Sequence, residues 1–258
     1  MPRIIACEQG SLEWHAARRG IPTASEFHKI LTAKTEKIST QSDDYICELI
    51  GELHSQFLPK WAQSYTSRAM DYGAETEAEA RNFYAMATDE PVERVGFIVT
   101  DDGRYGCSPD ALVGIDGGLE LKCPALKTHV RYLLQGELPP DYKAQVHGAL
   151  LVTGRPWWDF LSYAPGLPAF LVRVRPDGFT EKLRTALDVF WRLFQERLQR
   201  IRDGSWQKSV ADSGLKKKLE DSIELETEKA WTEWRQKHGV DQTTLPLFPK
   251  EKNHGKRT

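Results

Sequence analysis

The stretch Gly106–Pro124, Gly-Cys-Ser-Pro-Asp-Ala-Leu-Val-Gly-Ile-Asp-Gly-Gly-Leu-Glu-Leu-Lys-Cys-Pro, limits the fold more than any other. It predicts two short strands, Ala111–Val113 and Leu119–Cys123, around a Gly117-Gly118 turn. Side chains alternate along a strand. Glu120 and Lys122 therefore share one face, while Leu119, Leu121 and Cys123 point the other way, into a core. Paired strands bring Asp110, where the first strand begins, to Glu120 and Lys122. Two carboxylates in one place suit a hard divalent cation such as Mg²⁺, which takes oxygen ligands and keeps several waters. An ammonium beside that ion can orient a water, which is equipment for metal-assisted phosphodiester hydrolysis. The plainer reading is a charged hairpin with a solvated face, and Glu-x-Lys alone does not decide between the two. Ser-Pro-Asp followed by Leu-Glu-Leu-Lys across a Gly-Gly pair is more specific.

The chain has 258 residues, enough for one large domain or two small ones. Its 40% hydrophobic and 28% charged content fits a soluble globular protein. No apolar run approaches the roughly 20 residues that span a bilayer, and no membrane partner is expected. The N-terminus lacks the layout of a signal peptide. Cys7, Cys47, Cys107 and Cys123 are scattered without metal-ligand spacing, which predicts reduced thiols in a cytoplasmic protein. With a net charge of −2 the chain is no generic polycation, so any nucleic-acid surface must come from locally arranged basic groups.

Upstream, Ser11 caps a predicted helix, Leu12–Arg19, which Gly20 ends. Thr23-Ala-Ser-Glu26 predicts a capping box opening a second helix. Two readings stand for this region. Trp14 is a packed aromatic and Arg18 a surface charge, or the two helix ends, Arg18 and the Ser25 hydroxyl face a phosphate. Apolar spacing predicts an amphipathic core helix over Asp43–Phe57 and another helix over Arg68–Thr88, with Phe83 and Met86 on its inner face. Glu75, Glu77 and Glu79 read as a solvated face, of which Glu75 is best placed to turn toward the site. A strand is expected over Val92–Thr100 and a turn at Asp101–Gly103. A short helical stretch, Ala125–Gly136, carries Lys127, His129 and Arg131 near the site in sequence. A helix follows over Tyr142–Val152, with Val146, Ala149 and Leu150 buried and Gln145 on another face. Strands at Trp157–Tyr163 and Ala169–Val174 pair antiparallel, and a long helix, Gly178–Asp203, closes the core. From Gln207 the character changes to a charged helix, with Lys216–Lys218 and the Trp231/Trp234 pair, and a partly disordered tail. The order predicts a mixed α/β core, a curled sheet flanked by helices. The expected division is 1–206 for that core and 207–258 for the appendage.

Six motifs occur in order: Trp14-His-Ala-Ala-Arg18, Thr23-Ala-Ser25, Gly73-Ala-Glu75, Cys107-Ser-Pro-Asp110, Leu119-Glu-Leu-Lys-Cys-Pro124 and Ala144-Gln-Val146. Over about residues 4–206 the chain resembles the lambda exonuclease family and its YqaJ-type viral recombinases. The resemblance implies a PD-(D/E)xK, restriction-endonuclease-like core, here Pro109-Asp110 and Glu120-Leu121-Lys122. It implies that Asp110, Glu120 and the Leu121 carbonyl hold the metal, Mg²⁺ with Mn²⁺ able to substitute, and that Lys122 activates the attacking water. It places Glu75 at the metal site and Gln145 in the active site. Arg18, Ser25 and Ser108, with Trp14 beside them, resemble a pocket for a 5′-terminal phosphate. One departure stands out. The family arginine after Lys-Cys-Pro is replaced by Thr128, with Lys127 before it, and a lysine lacks the bidentate fork.

The activity implied is a 5′→3′ exonuclease on double-stranded DNA that leaves 3′ overhangs for phage-type recombination. A homotrimeric ring around DNA and a single-strand annealing protein as partner are also implied. Two other readings are a sequence- or structure-specific endonuclease of the same fold and a catalytically silent DNA-binding module. The phosphate constellation argues against the first, and the intact Asp110, Glu120 and Lys122 against the second.

Overall fold

A computed structural model describes residues 1–54, 68–205 and position 229, with the backbone alone for 68–75. The end of the helix expected over Asp43–Phe57 and nearly all of the expected appendage, Lys216–Lys218 and Trp231/Trp234 included, lie outside the described residues.

The expected mixed α/β core flanked by helices is present, with its strands divided between two sheets. Strands β1 (Arg3–Ile5), β3 (Phe97–Val99) and β4 (Gly106–Cys107) make a three-stranded antiparallel sheet in the order β1-β3-β4. Strands β2 (Val92–Glu93), β5 (Ala111–Val113), β6 (Gly117–Lys122), β7 (Trp157–Ser162) and β8 (Phe170–Val174) make the larger sheet, in that order. The single strand expected over Val92–Thr100 is thus two strands in different sheets. Gly96 stands between them, where a Cβ would collide with the Cys7 carbonyl of the N-terminal arm. In the larger sheet only β6 and β7 run parallel. A parallel neighbour needs a long crossover, supplied by helices α4 (Leu126–Gln135) and α5 (Pro140–Thr153). Gly136 and Gly154 end these helices in the left-handed conformation.

The central hairpin is offset from its expected form. Gly117 and Gly118 are not the turn but the first residues of β6, paired with Val113 and Leu112. The turn is Gly114–Asp116, with Gly114 at φ +50°. The two glycines are required by β7: a Cβ on either would enter the ring of Trp157 or Trp158. The Arg155 guanidinium closes the turn by donating Nη1 to the Gly114 carbonyl at 3.1 Å and the Gly117 carbonyl at 2.5 Å.

Both faces of the larger sheet are covered, so β6 has no solvated face. One face and the helices around it make the main core, with Leu112, Trp158 and Phe160 from the sheet, Phe27, and Leu183, Leu187, Phe190, Phe194 and Leu198 from α6 (Gly178–Arg202). These five α6 residues recur at helical spacing and are all buried, and so are Val146, Ala149 and Leu150 of α5. On the other face lies α3 (Arg68–Thr88), over Ala111, Leu119 and Leu121. Its inner residues are Thr76, Ala80 and Tyr84, four apart. Phe83 and Met86, expected inside, are 40% and 85% exposed. Tyr84 fits the inner face because its hydroxyl donates to the buried Asp159 at 2.6 Å, and the Arg173 guanidinium closes on both oxygens of the same carboxylate. Helix α1 (Leu12–Arg18) is capped by Ser11, whose Oγ accepts from the Trp14 backbone at 3.2 Å. Helix α2 (Ser42–His54) adds Tyr45, Ile46 and Leu49 to the main core. All four cysteines are free thiols.

Candidate active site

The β5–β6 hairpin ends in a charged cluster. Pairing with β5 reaches Leu119, opposite Ala111. Beyond that point the Asp110 side chain continues the ladder, its Oδ2 accepting from the Leu121 N–H at 2.6 Å. The N–H and C=O of one strand residue face the same edge, so the Leu121 carbonyl is directed to the Asp110 side. Glu120 points to the opposite face from Leu119 and Leu121 and is 3% exposed. Its Oε1 accepts from the Lys122 ammonium and, at 2.6 Å, from Nε2 of Gln145. Gln145, on a helix face where glutamine is ordinarily solvated, is brought in because α5 crosses this face of the sheet. Lys122 lies 5.2 Å from the ring centre of Tyr142.

Electrostatics mark the cluster as rich in negative charge. Burial first, then the charge of Asp110, pushes the Glu120 carboxyl up to about 7, against the pull of Lys122 and Gln145. Burial also raises Asp110, against Lys122 and the Leu121 N–H, with Glu77 adding to the rise. Burial opposes the charge on Lys122, but Glu120 and Asp110 outweigh it and hold the ammonium above the ordinary lysine value. Two buried carboxylates that resist ionising together, plus a carbonyl, form a hard oxygen donor set short of positive charge. These residues fit Mg²⁺, which binds through one or two carboxylates and keeps its waters. Among the described residues no third His, Cys, Asp or Glu joins them as a ligand group.

Beside this cluster is a cavity of roughly 110 Å³ whose lining includes Trp14, Arg18, Ser25, Ser108, Glu120 and Gln145. Trp14 Nε1 donates to the Ser108 Oγ at 2.8 Å, and Arg18 Nη1 to the same oxygen at 3.4 Å. The Arg18 guanidinium stacks 4.0 Å from the Trp14 ring centre, and its Nη2 donates to Thr23 at 3.3 Å. Thr23 lies 3.3 Å from the Ser25 hydroxyl. The expected capping box does not form. Ala24–Lys29 is a 3-10 turn without a side-chain cap, because the Thr23 hydroxyl is engaged by Arg18 and Ser25.

Of the residues singled out in the sequence, Trp14, Arg18, Ser25, Ser108, Glu120 and Gln145 share the cavity, with Asp110 and Lys122 around Glu120. Glu75 is on α3, but its side chain lies outside the described residues. Lys127 is exposed on α4. His129 is buried between Ser162 and the Pro168 carbonyl and packs the crossover rather than the site. Glu77, one of the three α3 glutamates read as a solvated face, is exposed as expected, and its charge still reaches Asp110. A residue four places before Arg81 and three before Ala80 borders the buried stripe, and that spacing was the available signal. Gln9 donates Nε2 to the Val95 carbonyl at 2.9 Å and the Pro109 carbonyl at 2.8 Å, pinning the turn that carries Ser108 and Asp110. No local pattern announces a contact spanning that much chain.

Comparisons with known proteins bear on the fold and the family. The chain is similar to the crystal structure of an alkaline exonuclease, LHK-Exo, from Laribacter hongkongensis, with 30% identity and a TM-score of 0.65 over 77% of this chain and 100% of that one. The same figures hold for LHK-Exo in complex with dAMP. A phage related exonuclease from Haemophilus somnus 129PT shares the fold at 10% identity, with a TM-score of 0.52 over 70% of this chain and 96% of that one. No curated protein matches significantly. Residues 13–156 match the YqaJ-like viral recombinase domain. With that match over more than half its length, the chain belongs to the YqaJ-like viral recombinase family.

Proposed function

We propose that this protein is a Mg²⁺-dependent exonuclease that degrades one strand of linear duplex DNA from a 5′-phosphorylated end, in the 5′→3′ direction. One observation carries the reading: Arg18, Ser25, Ser108 and Trp14 line the same cavity as Glu120 and Gln145. Membership in a family with an alkaline exonuclease relative supports nuclease chemistry. An endonuclease has no terminal phosphate to hold, so the cavity favours the exonuclease reading.

Asp110, Glu120 and the Leu121 carbonyl are the donors for the ion, with an α3 carboxylate, Glu75 or Glu77, close by. Mg²⁺ bound there supplies Lewis-acid stabilisation of the phosphoryl oxygens and lowers the pKa of a bound water. Arg18 offers a planar fork to the terminal phosphate, and the serine hydroxyls complete its hydrogen bonds. Lys122 and Gln145 leave Glu120 for the water and substrate, Lys122 orienting the attacking water and balancing charge that develops on the phosphate. Lys127 is a weaker candidate contact to the duplex. The products are nucleotides and a 3′ overhang, which suits a single-strand annealing partner in recombination within a bacterial cytoplasm. A homotrimeric ring would keep the duplex engaged between cuts.

Duplex labelled at the 5′ or the 3′ end, with 5′-phosphate or 5′-hydroxyl, is incubated with Mg²⁺ or chelator. The 5′ label is expected to leave first, at least tenfold faster from 5′-phosphate than from 5′-hydroxyl, and not at all in chelator. Arg18→Ala should shrink that preference. Equal rates on the two ends by the unaltered protein would sink the reading.

A further inference from the structure

Arg81 has no part in the chemistry above. Its Nε is sealed from solvent and has no hydrogen-bond partner among the described residues. A buried donor without an acceptor costs about 1–3 kcal/mol, so such a group calls for an acceptor that arrives from outside. Helix geometry fixes the direction in which it waits. Thr76, Ala80 and Tyr84 face the sheet. Glu77 and Arg81, each one residue further on, lie along one flank of α3. Glu79 and Phe83 lie along the other flank, where they meet Tyr163 at the end of β7. Strands β5 and β7 are on opposite sides of β6. The Arg81 flank therefore looks toward β5 and Asp110 at its start. Arg94, exposed in the link between β2 and β3, lies near enough for its charge to act on Arg81, as do those of Asp110 and Glu77.

We propose that Arg81, with Arg94 beside it, binds a backbone phosphate of the DNA strand on the 3′ side of the bond being cut. This rests on the exonuclease reading and extends it to a second phosphate. The cavity of Arg18 takes in Glu120, and Asp110 lies beyond, at the hairpin edge. A strand with its 5′ end in the cavity passes Glu120 and Asp110 before it reaches Arg81. A phosphate there first meets the exposed Nη groups, and a small turn of the side chain then frees the sealed Nε to donate beside one of them, in the side-on geometry that suits a guanidinium. Its charge also relieves the repulsion between the two arginines. The strand would thus be held on both sides of the reacting centre, with the scissile phosphate drawn between the two grips.

The test uses the full chain and a 5′-phosphorylated duplex in chelator, so that binding is read without cleavage. A single neutral methylphosphonate is moved through the first four linkages of the 5′ strand. The unaltered protein should lose about tenfold in affinity at one linkage inside the first. Arg81→Ala should lose about tenfold on ordinary DNA, become indifferent to the methylphosphonate at that linkage, and show a salt slope shallower by about one. Arg81→Lys should fall between the two. An Arg81→Ala protein that melts like the parent, binds with the same salt slope and keeps the parent's methylphosphonate profile would overturn the proposal and leave Arg81 to a trapped water. If Arg81→Ala does not fold, Arg81→Lys and Arg94→Ala carry the test, and an unchanged profile in both overturns it. If the unaltered protein degrades 5′-phosphorylated ends while Arg81 shows no coupling, this inference alone fails. If it degrades no duplex with Mg²⁺, the exonuclease reading fails with it.

Discussion

Lys122 and Gln145 both donate to a single oxygen of Glu120, and Asp110 spends one of its own on the Leu121 N–H. Each carboxylate is therefore positioned by a neighbouring N–H donor. Glu120→Gln keeps the shape and removes the charge; it should abolish Mg²⁺ binding in calorimetric titration and, with it, cleavage. Lys122→Ala should lower turnover by about 10²–10⁴-fold while metal binding stays within a few-fold of the parent. Loss of the calorimetric signal in Lys122→Ala would contradict its role. Glu77→Gln should weaken metal binding, since the Glu77 charge reaches Asp110; an unchanged calorimetric titration would remove Glu77 from the site. At this scale the sequence disclosed residues that lie close together in the chain. Asp110, Glu120 and Lys122 follow from strand alternation and one short turn. Gln145 and Gln9 do not, because their contacts depend on how α5 and the N-terminal arm lie across the sheet.

Among the elements, β6 is the most tightly specified. Its first two residues admit two tryptophan rings from β7 with no room to spare. Gly118→Ala forces a methyl group into Trp158 and should cost about 1–3 kcal/mol, read as a lower midpoint in urea with an unchanged slope. The same glycines misled the turn assignment, since Gly-Gly after a short apolar run carries a hairpin signal whether it forms the turn or clears space for a ring. The helices were easier to read, because periodicity over ten or more residues reports burial directly, as α6 and α5 illustrate. The α3 inner face was harder, since Tyr84 is selected by a buried aspartate on β7 that local hydrophobicity does not register. A second element-level test concerns Glu36, which joins the segment before α2 to Lys143 of α5 and Lys182 of α6. Burial raises its carboxyl, but Lys182 and Lys143 outweigh that and hold it below the ordinary range. A carboxyl lowered on folding adds stability above its unfolded value, and this is lost as the pH falls through the folded one. Glu36→Gln should therefore cost about 1 kcal/mol near pH 7, and the gap in melting temperature should close as the pH is taken from about 5 to 3. A gap that does not change with pH would show that the ion pairs contribute nothing.

For the whole molecule, no helix among the described residues is long and apolar enough to cross a membrane. Light scattering at micromolar concentration should return three times the chain mass of 29.4 kDa, and a monomer in the presence of DNA would remove the ring. Chain removed from Gln207 onward should leave cleavage intact, since all six motifs lie before it. The N-terminal arm has a consequence for how the protein comes into being. Gln9 reaches the Pro109 carbonyl and Trp14 reaches Ser108, about a hundred positions further along the chain. The β5–β6 hairpin closes over a three-residue turn, a microsecond event, whereas contacts so distant in sequence pay for a long loop before they are rewarded. The hairpin can therefore close before the arm docks on it, and the pocket lined by Arg18 and Ser108 is a late product of folding. Under the proposed function, a partly folded chain would carry its carboxylates but could not seat a DNA end, and cleavage would wait until the arm has docked.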